Sequence, residues 1–355
     1  MITHPTLIID KTKCRNNINR MVIKAKMNKL IFRPHFKTHQ SIEVSKLYRE
    51  YGINKITVSS LKMAEYFAAD GWDDITLAFP VNVLETPTID ALTKKINLNL
   101  LFESIEAVEY VSSKINHYVG GFIKIDTGYN RTGIHYSKTQ EIDKLLQFIK
   151  KSNLIHFKGF LVHPGHTYKA QNTDEIRSII DEALDALKAL KSKYGSMFQN
   201  IVATIGDTPS CSILESFEGA DEIRPGNFVY YDLMQYQLGA CKINEIASAI
   251  ACPVVAKHIE RNELIIYGGA VHFSKEALEH NDYGKIYGLA VEVKEKGWGN
   301  TIPNVFVNQI SQEHGSISAP DEFIAQTNVG DILYFLPVHS CLTANLMKSN
   351  TIYVK

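Results

Sequence analysis

From residue 30 to about residue 235 the chain alternates between short apolar runs and longer stretches with helical spacing. The runs fall at 30–36, 55–59, 75–79, 98–102, 122–126, 157–162, 201–205 and 221–224. Between most of them lie segments with apolar residues three and four apart, such as 41–51, 61–70, Ile105–Lys114, 140–151 and Thr173–Tyr194. Strand alternating with helix builds a parallel sheet, and eight such units suit an α/β chain closed as a (β/α)8 TIM barrel. A doubly wound open sheet would share the alternation. After about residue 245 the texture changes. Strand-like runs at 249–258, Glu263–Tyr267, 286–293, 305–310 and 332–336 are joined by Gly- and Asn-containing turns, with no long helix. That pattern predicts a C-terminal β-rich domain, whose sheet the strand-like opening Thr6–Asp10 could join. The expected division is a barrel over 20–240 and a β-rich domain made of 1–19 plus 241–355. A chain of 355 residues is long enough for one large core and a smaller one.

Composition narrows the partners. Thirty-eight basic and thirty-eight acidic residues cancel, which gives no electrostatic reason for nucleic acid or an anionic membrane. No run approaches the roughly 20 apolar residues of a membrane span. The start Met1-Ile2-Thr3-His4-Pro5 has no basic region followed by a long apolar one, so no secretory signal is expected. The five cysteines, Cys14, Cys211, Cys241, Cys252 and Cys341, are scattered and odd in number, so no disulfide framework is expected. A reducing, cytoplasmic setting is expected.

Polar residues crowd the ends of the expected barrel strands, where βα loops build active sites. Arg33-Pro34-His35-Phe36-Lys37-Thr38-His39 closes the first strand. Neighbouring positive charge and partial burial would lower the pKa of Lys37, as Schiff-base chemistry requires, although a solvated basic turn would read the same way. Lys124-Ile125-Asp126-Thr127-Gly128-Tyr129-Asn130-Arg131-Thr132-Gly133 leaves the fifth strand, and Arg131 there could offer its donor fork to a phenolate or carboxylate. His163-Pro164-Gly165-His166-Thr167-Tyr168 follows the sixth and could bind metal, stack on a ring or relay protons. Gly206-Asp207-Thr208-Pro209-Ser210 and Arg224-Pro225-Gly226-Asn227 follow the seventh and eighth. Those two loops are where barrels often hold phosphate. Finally, Pro337-Val338-His339-Ser340-Cys341 lies in the β-rich part. On an extended strand His339 and Cys341 would face the same side, and imidazole with thiolate prefers zinc; a buried His and Cys in a β core is the alternative.

Together these segments resemble the fold-type III pyridoxal-phosphate enzymes, specifically the D-serine dehydratase and D-threonine aldolase family, from Thr6 to about Leu346. The resemblance implies an alanine-racemase-like N-terminal barrel, a homodimer, and a D-amino acid substrate. Residue by residue it implies that Lys37 is the Schiff-base lysine and Arg131 lies beside the ring of pyridoxal 5'-phosphate. It implies that Tyr168 lies near the cofactor and that Thr208, Gly226 and Asn227 hold the phosphate. His339 and Cys341 resemble the dehydratases' zinc (Zn2+) pair; the aldolases typically read His-x-Asp there. Gly-Asp-Thr-Pro-Ser departs from the Gly-Ser/Gly-Thr-Pro-Thr of relatives, so the Asp207 side chain is expected to point away from a phosphate.

The chemistry so implied is β-elimination from a D-3-hydroxy amino acid, most simply D-serine to pyruvate and ammonia, with Lys37 as base. Retro-aldol cleavage of a D-threonine-type substrate would use the same residues, and a racemase would share the fold without needing the metal pair. Small pyridoxal-phosphate carrier proteins share the barrel but lack a β domain of this size. Without the resemblance, a metal-dependent barrel hydrolase would be the rival.

Overall fold

In the computed structural model, which describes residues 2–354, nineteen strands form two main sheets and one small hairpin. The chain divides into two compact units, one of residues 19–37 with 48–226, the other of residues 1–18, 38–47 and 227–355. The last segment of the second unit begins at Asn227, and a short insert, 38–47, goes with it. The reason is local packing: Asn17 donates to Val229 O and Glu245 O, and the Ser41 hydroxyl meets Tyr353 Oη at 2.6 Å.

The strands, in chain order, begin with β1 (Thr6–Asp10), β2 (Ile31–Phe32), β3 (Lys55–Val58), β4 (Asp74–Pro80), β5 (Asn97–Phe102) and β6 (Val119–Asp126). They continue with β7 (Ile134–His135), β8 (Ile155–Val162), β9 (Val202–Ile205) and β10 (Glu222–Ile223). In the first unit the order is β3-β4-β5-β6-β8-β9-β10-β2, parallel throughout, with β7 a short addition to β6. A parallel bridge between His35 and Thr57 joins the two ends, so the sheet closes into a barrel. All eight residues of β6 are buried, as expected where helices cover one face of a strand and the barrel core the other. Polar side chains tie strands together as well. Arg33 bridges Glu222 (2.7 Å) and Asp74 (2.5 Å), Asp74 also pairs with Lys55, and Thr204 donates to Glu222.

The second unit uses β1 with β11 (Ser248–His258), β12 (Glu263–Tyr267), the hairpin β13 (Leu278–His280) and β14 (Gly284–Ile286), and β15 (Gly288–Lys294). It is completed by β16 (Gly297–Ile310), β17 (His314–Ser318), β18 (Ile332–Pro337) and β19 (Thr351–Val354). Strands β12-β17-β16-β15-β18-β11 run antiparallel, and a further β11–β12 pairing closes them into a six-stranded barrel. Its core holds Ile250, Cys252, Leu264, Ile266, Val307 and Phe335. β1 pairs antiparallel with β11 and parallel with β19, so the opening strand does join this sheet.

Candidate active site

In the first unit the candidate residues lie at the carboxyl ends of the barrel strands. Phe36 is fully buried, its ring within 4.9–5.0 Å of Tyr48, Phe67 and Trp72. That aromatic anchor fixes the backbone just before Lys37, whose N–H donates to His35 Nδ1 (3.3 Å) and whose side chain is exposed.

The loop after β6 folds back on its own strand. Asn130 N–H donates to both Asp126 oxygens, and Gly133 has φ 108° with no room for a Cβ, which would fall 2.9 Å from Asp126 N. Only glycine meets both demands. Arg131 lies 4.9 Å over the Tyr129 ring, which stacks at 6.0 Å on His166. Lys124, buried beneath this loop, donates to Ile125 O (2.8 Å). Burial first, then the Arg224 charge, lowers its pKa to about 7 despite nearby Glu103 and Asp126. Its signal in the sequence is its position in a fully buried strand whose other residues, Asp126 apart, are apolar or glycine.

His163 contacts Gly206 O through Nδ1 at 2.7 Å. A carbonyl only accepts, so Nδ1 carries the proton and Nε2 is left as acceptor. Loss of solvation and then the charge of Lys37 hold this imidazole well below its ordinary pKa, hence neutral. The hydroxyl of Tyr168 accepts the Thr208 N–H (3.2 Å). The hydroxyl of Thr208 is fully buried without a partner, the kind of donor that a phosphate oxygen takes. The Asp207 carboxylate is committed to Thr167 Oγ1, Ser210 N and Ser210 Oγ at 2.6–2.9 Å, and burial lifts its pKa to about 6. Gly206 approaches so closely that a Cβ would lie 2.7 Å from the backbone of Arg224. Arg224 is itself buried, donating to Thr204 Oγ1 and Val162 O (both 2.7 Å). Gly226 is buried at the end of this unit.

In the second unit His339 and Cys341 are not on an extended strand. β18 ends at Pro337, His339 precedes the helix Ser340–Met347, and Cys341 lies in its first turn. The alternation argument therefore does not hold. The strand-to-helix turn still brings imidazole and thiol within hydrogen-bond reach. Asp232, buried and unforeseen, holds the turn. It accepts from Ser340 N (2.9 Å), Asn227 Nδ2 (2.6 Å) and, through its other oxygen, Gln235 N (3.0 Å). Thr38 Oγ1 lies 3.1 Å from Cys341 Sγ and Asn227 Nδ2 3.5 Å from it. Burial alone would lower the pKa of His339, but Cys341, Glu276 and Asp232 outweigh it and raise it to about 11. The turn is thus a place where negative groups favour a cation. Among the described residues no three His, Cys, Asp or Glu side chains converge as a metal cluster. An imidazole and a thiol are nonetheless a zinc-type donor pair that leaves positions open.

Comparison with known proteins follows the same division. Residues 9–233 match the family described as "Alanine racemase, N-terminal domain", and residues 247–353 match "Putative serine dehydratase domain". A D-serine dehydratase of Dictyostelium discoideum is 30% identical over 96% of this chain and 90% of its own length. A D-threo-3-hydroxyaspartate dehydratase of Delftia sp. is 25% identical over 96% and 91%. The solved Delftia structure superposes with a TM-score of 0.91, covering 98% of this chain and 93% of that one at 23% identity. An alanine-racemase-like protein of Idiomarina loihiensis gives 0.88 at 26% identity, covering 97% and 92%.

Proposed function

This chain belongs to the family that joins an alanine racemase N-terminal domain to a serine dehydratase domain, and from that premise we propose that it is a pyridoxal-phosphate-dependent lyase that dehydrates D-serine. One observation carries the reading furthest: in the parallel barrel the fully buried Thr208 hydroxyl has no partner, the kind of donor that a phosphate oxygen takes.

Lys37 would carry the cofactor, and the orphaned Thr208 hydroxyl, with the backbone of Gly226 and Asn227, would hold its phosphate. Bound pyridoxal phosphate supplies an electron sink for negative charge on the substrate Cα. Arg131 and Tyr168 would flank the ring. The Lys37 amine would take the Cα proton. His339 and Cys341 would hold zinc, whose contribution is to make a coordinated β-hydroxyl a better leaving group. A D-threo-3-hydroxyaspartate dehydratase with a Cys-to-Ala change has been solved in what is described as the metal-free form. The net reaction removes the β-hydroxyl and the Cα proton as water, then consumes water to release ammonia and pyruvate. Cytoplasmic residence and a homodimer complete the proposal. No disulfide joins the described cysteines, and no helix among the described residues is long and apolar enough to cross a membrane.

The test is product analysis. D-serine should give ammonia and pyruvate in equal amounts, and Lys37→Ala should lose both this activity and the borohydride-trapped cofactor. Glycine plus aldehyde from D-threonine, with D-serine untouched, would assign an aldolase. Formation of L-serine alone would assign a racemase.

A further inference from the structure

The His339 ring is held from outside the metal-type pair. Its Nδ1 lies 2.5 Å from Glu276 Oε2. Glu276 is exposed and follows the short helix Ala270–Phe273. Ser274 ends that helix in a left-handed conformation (φ 72°), and its hydroxyl accepts the Glu276 N–H (3.2 Å). From the other direction Thr343, on the helix that begins after His339, donates to Phe273 O (3.2 Å). The segment bearing Glu276 and the helix bearing Cys341 are therefore fastened together. Exposed ion pairs contribute little to stability, so folding alone does not explain an ordered glutamate on one particular ring nitrogen.

We infer that Glu276 is the positioning carboxylate of the metal pair: it fixes His339 through Nδ1 and leaves Nε2 as the atom that takes zinc beside the Cys341 sulfur. The inference rests on the zinc reading above. Its physical basis is general. A carboxylate on the far nitrogen of a ligating histidine sets the tautomer, orients the ring and raises its basicity, and its loss typically weakens metal binding 10- to 100-fold. With two protein ligands from one turn, zinc depends heavily on the aim of each. Glu276 touches neither substrate nor metal in this arrangement; it acts through His339.

The experiment is zinc affinity, measured by competition with a chromophoric chelator on the cofactor-loaded enzyme. Wild type should bind about one zinc per chain. Glu276→Ala should bind roughly 10- to 100-fold more weakly, and Glu276→Gln, which keeps an acceptor oxygen but not the charge, should fall between them. The cofactor absorbance and melting temperature of all three in the absence of zinc should agree closely, since the glutamate is exposed. Wild-type zinc affinity in Glu276→Ala would overturn the role of Glu276 while leaving the zinc reading intact. A wild-type enzyme that takes up no zinc would overturn both.

Discussion

A lysine amine enclosed in a barrel beside two guanidinium groups resists protonation, and Lys124 is in that position. Its pKa falls to about 7 in the fold against roughly 10.4 for an exposed lysine. Between those values the unfolded chain holds a proton that the folded one does not, so folding stability rises with pH across about pH 7 to 10. Below pH 7 both states are protonated and the fold bears the full penalty, at most on the order of 5 kcal/mol. Lys124→Met should therefore stabilise the cofactor-free protein most at or below pH 7, by roughly 1–3 kcal/mol once the lost bond to Ile125 O is offset. The gain should shrink towards pH 10. Denaturant melts at pH 6.5 and 9.5 check it, and an equal difference at both would show that the amine is charged in the fold. From sequence, adjacency of charge directed attention to the 33–39 segment. Depth in the core, which decides the state of Lys124, depends on contacts with Arg224 and Glu103 far away along the chain.

At the level of elements, the barrel strands were the most legible part. A parallel strand covered on both faces reads as a mainly apolar run, as β5 and β6 do apart from Asn97, Asn99, Lys124 and Asp126. The helix Lys11–Met27 gives a weak sequence signal because polar residues interrupt it throughout, although Cys14, Ile18, Met21, Val22 and Ala25 are buried at helical spacing. Within β16 only 305–310 reads as a strand, since Gly299, Asn300 and Pro303 look like turn residues while forming a long bulged hairpin strand. The turn at 337–341 differs from an extended strand for a related reason. Its helix begins on a carboxylate more than a hundred residues away, not on a local cap. That carboxylate, Asp232, satisfies Ser340 N, Gln235 N and Asn227 Nδ2 at once. Asp232→Asn would place an amide donor against donors, and leaving buried groups unmatched costs about 1–3 kcal/mol. We expect a lower melting temperature together with faster alkylation of Cys341. Unchanged alkylation would show that the turn keeps its shape without the carboxylate.

For the molecule as a whole, the residues proposed for the cofactor and those proposed for the metal largely belong to different units. Lys37, Arg131, Tyr168, Thr208 and Gly226 are in the parallel barrel, whereas Asn227, His339 and Cys341 are in the antiparallel one. A (β/α)8 barrel was legible in outline, and so was the β-rich remainder, because periodicity of 3.6 and of 2 separates them along the chain. Which loop belongs to which unit was not legible, since 38–47 is held by Tyr353, at the far end of the sequence. This division of labour predicts that the two groups can be removed separately. Hydroxide is a poor leaving group, and a metal ion contributes several kcal/mol to the charge it develops, whereas the lysine adduct needs no metal. Chelation should abolish ammonia release from D-serine while the borohydride-trapped cofactor, the melting temperature and the far-ultraviolet dichroism stay as they were. Added zinc should restore turnover. Cys341→Ala should behave as the chelated enzyme does, because a single neutral imidazole is a weak anchor. Any racemase activity would persist in chelator, since exchange of a Cα proton asks nothing of the β-hydroxyl. Full D-serine turnover by protein shown to be metal-free by elemental analysis would remove zinc from the reaction and leave the elimination to the barrel residues alone.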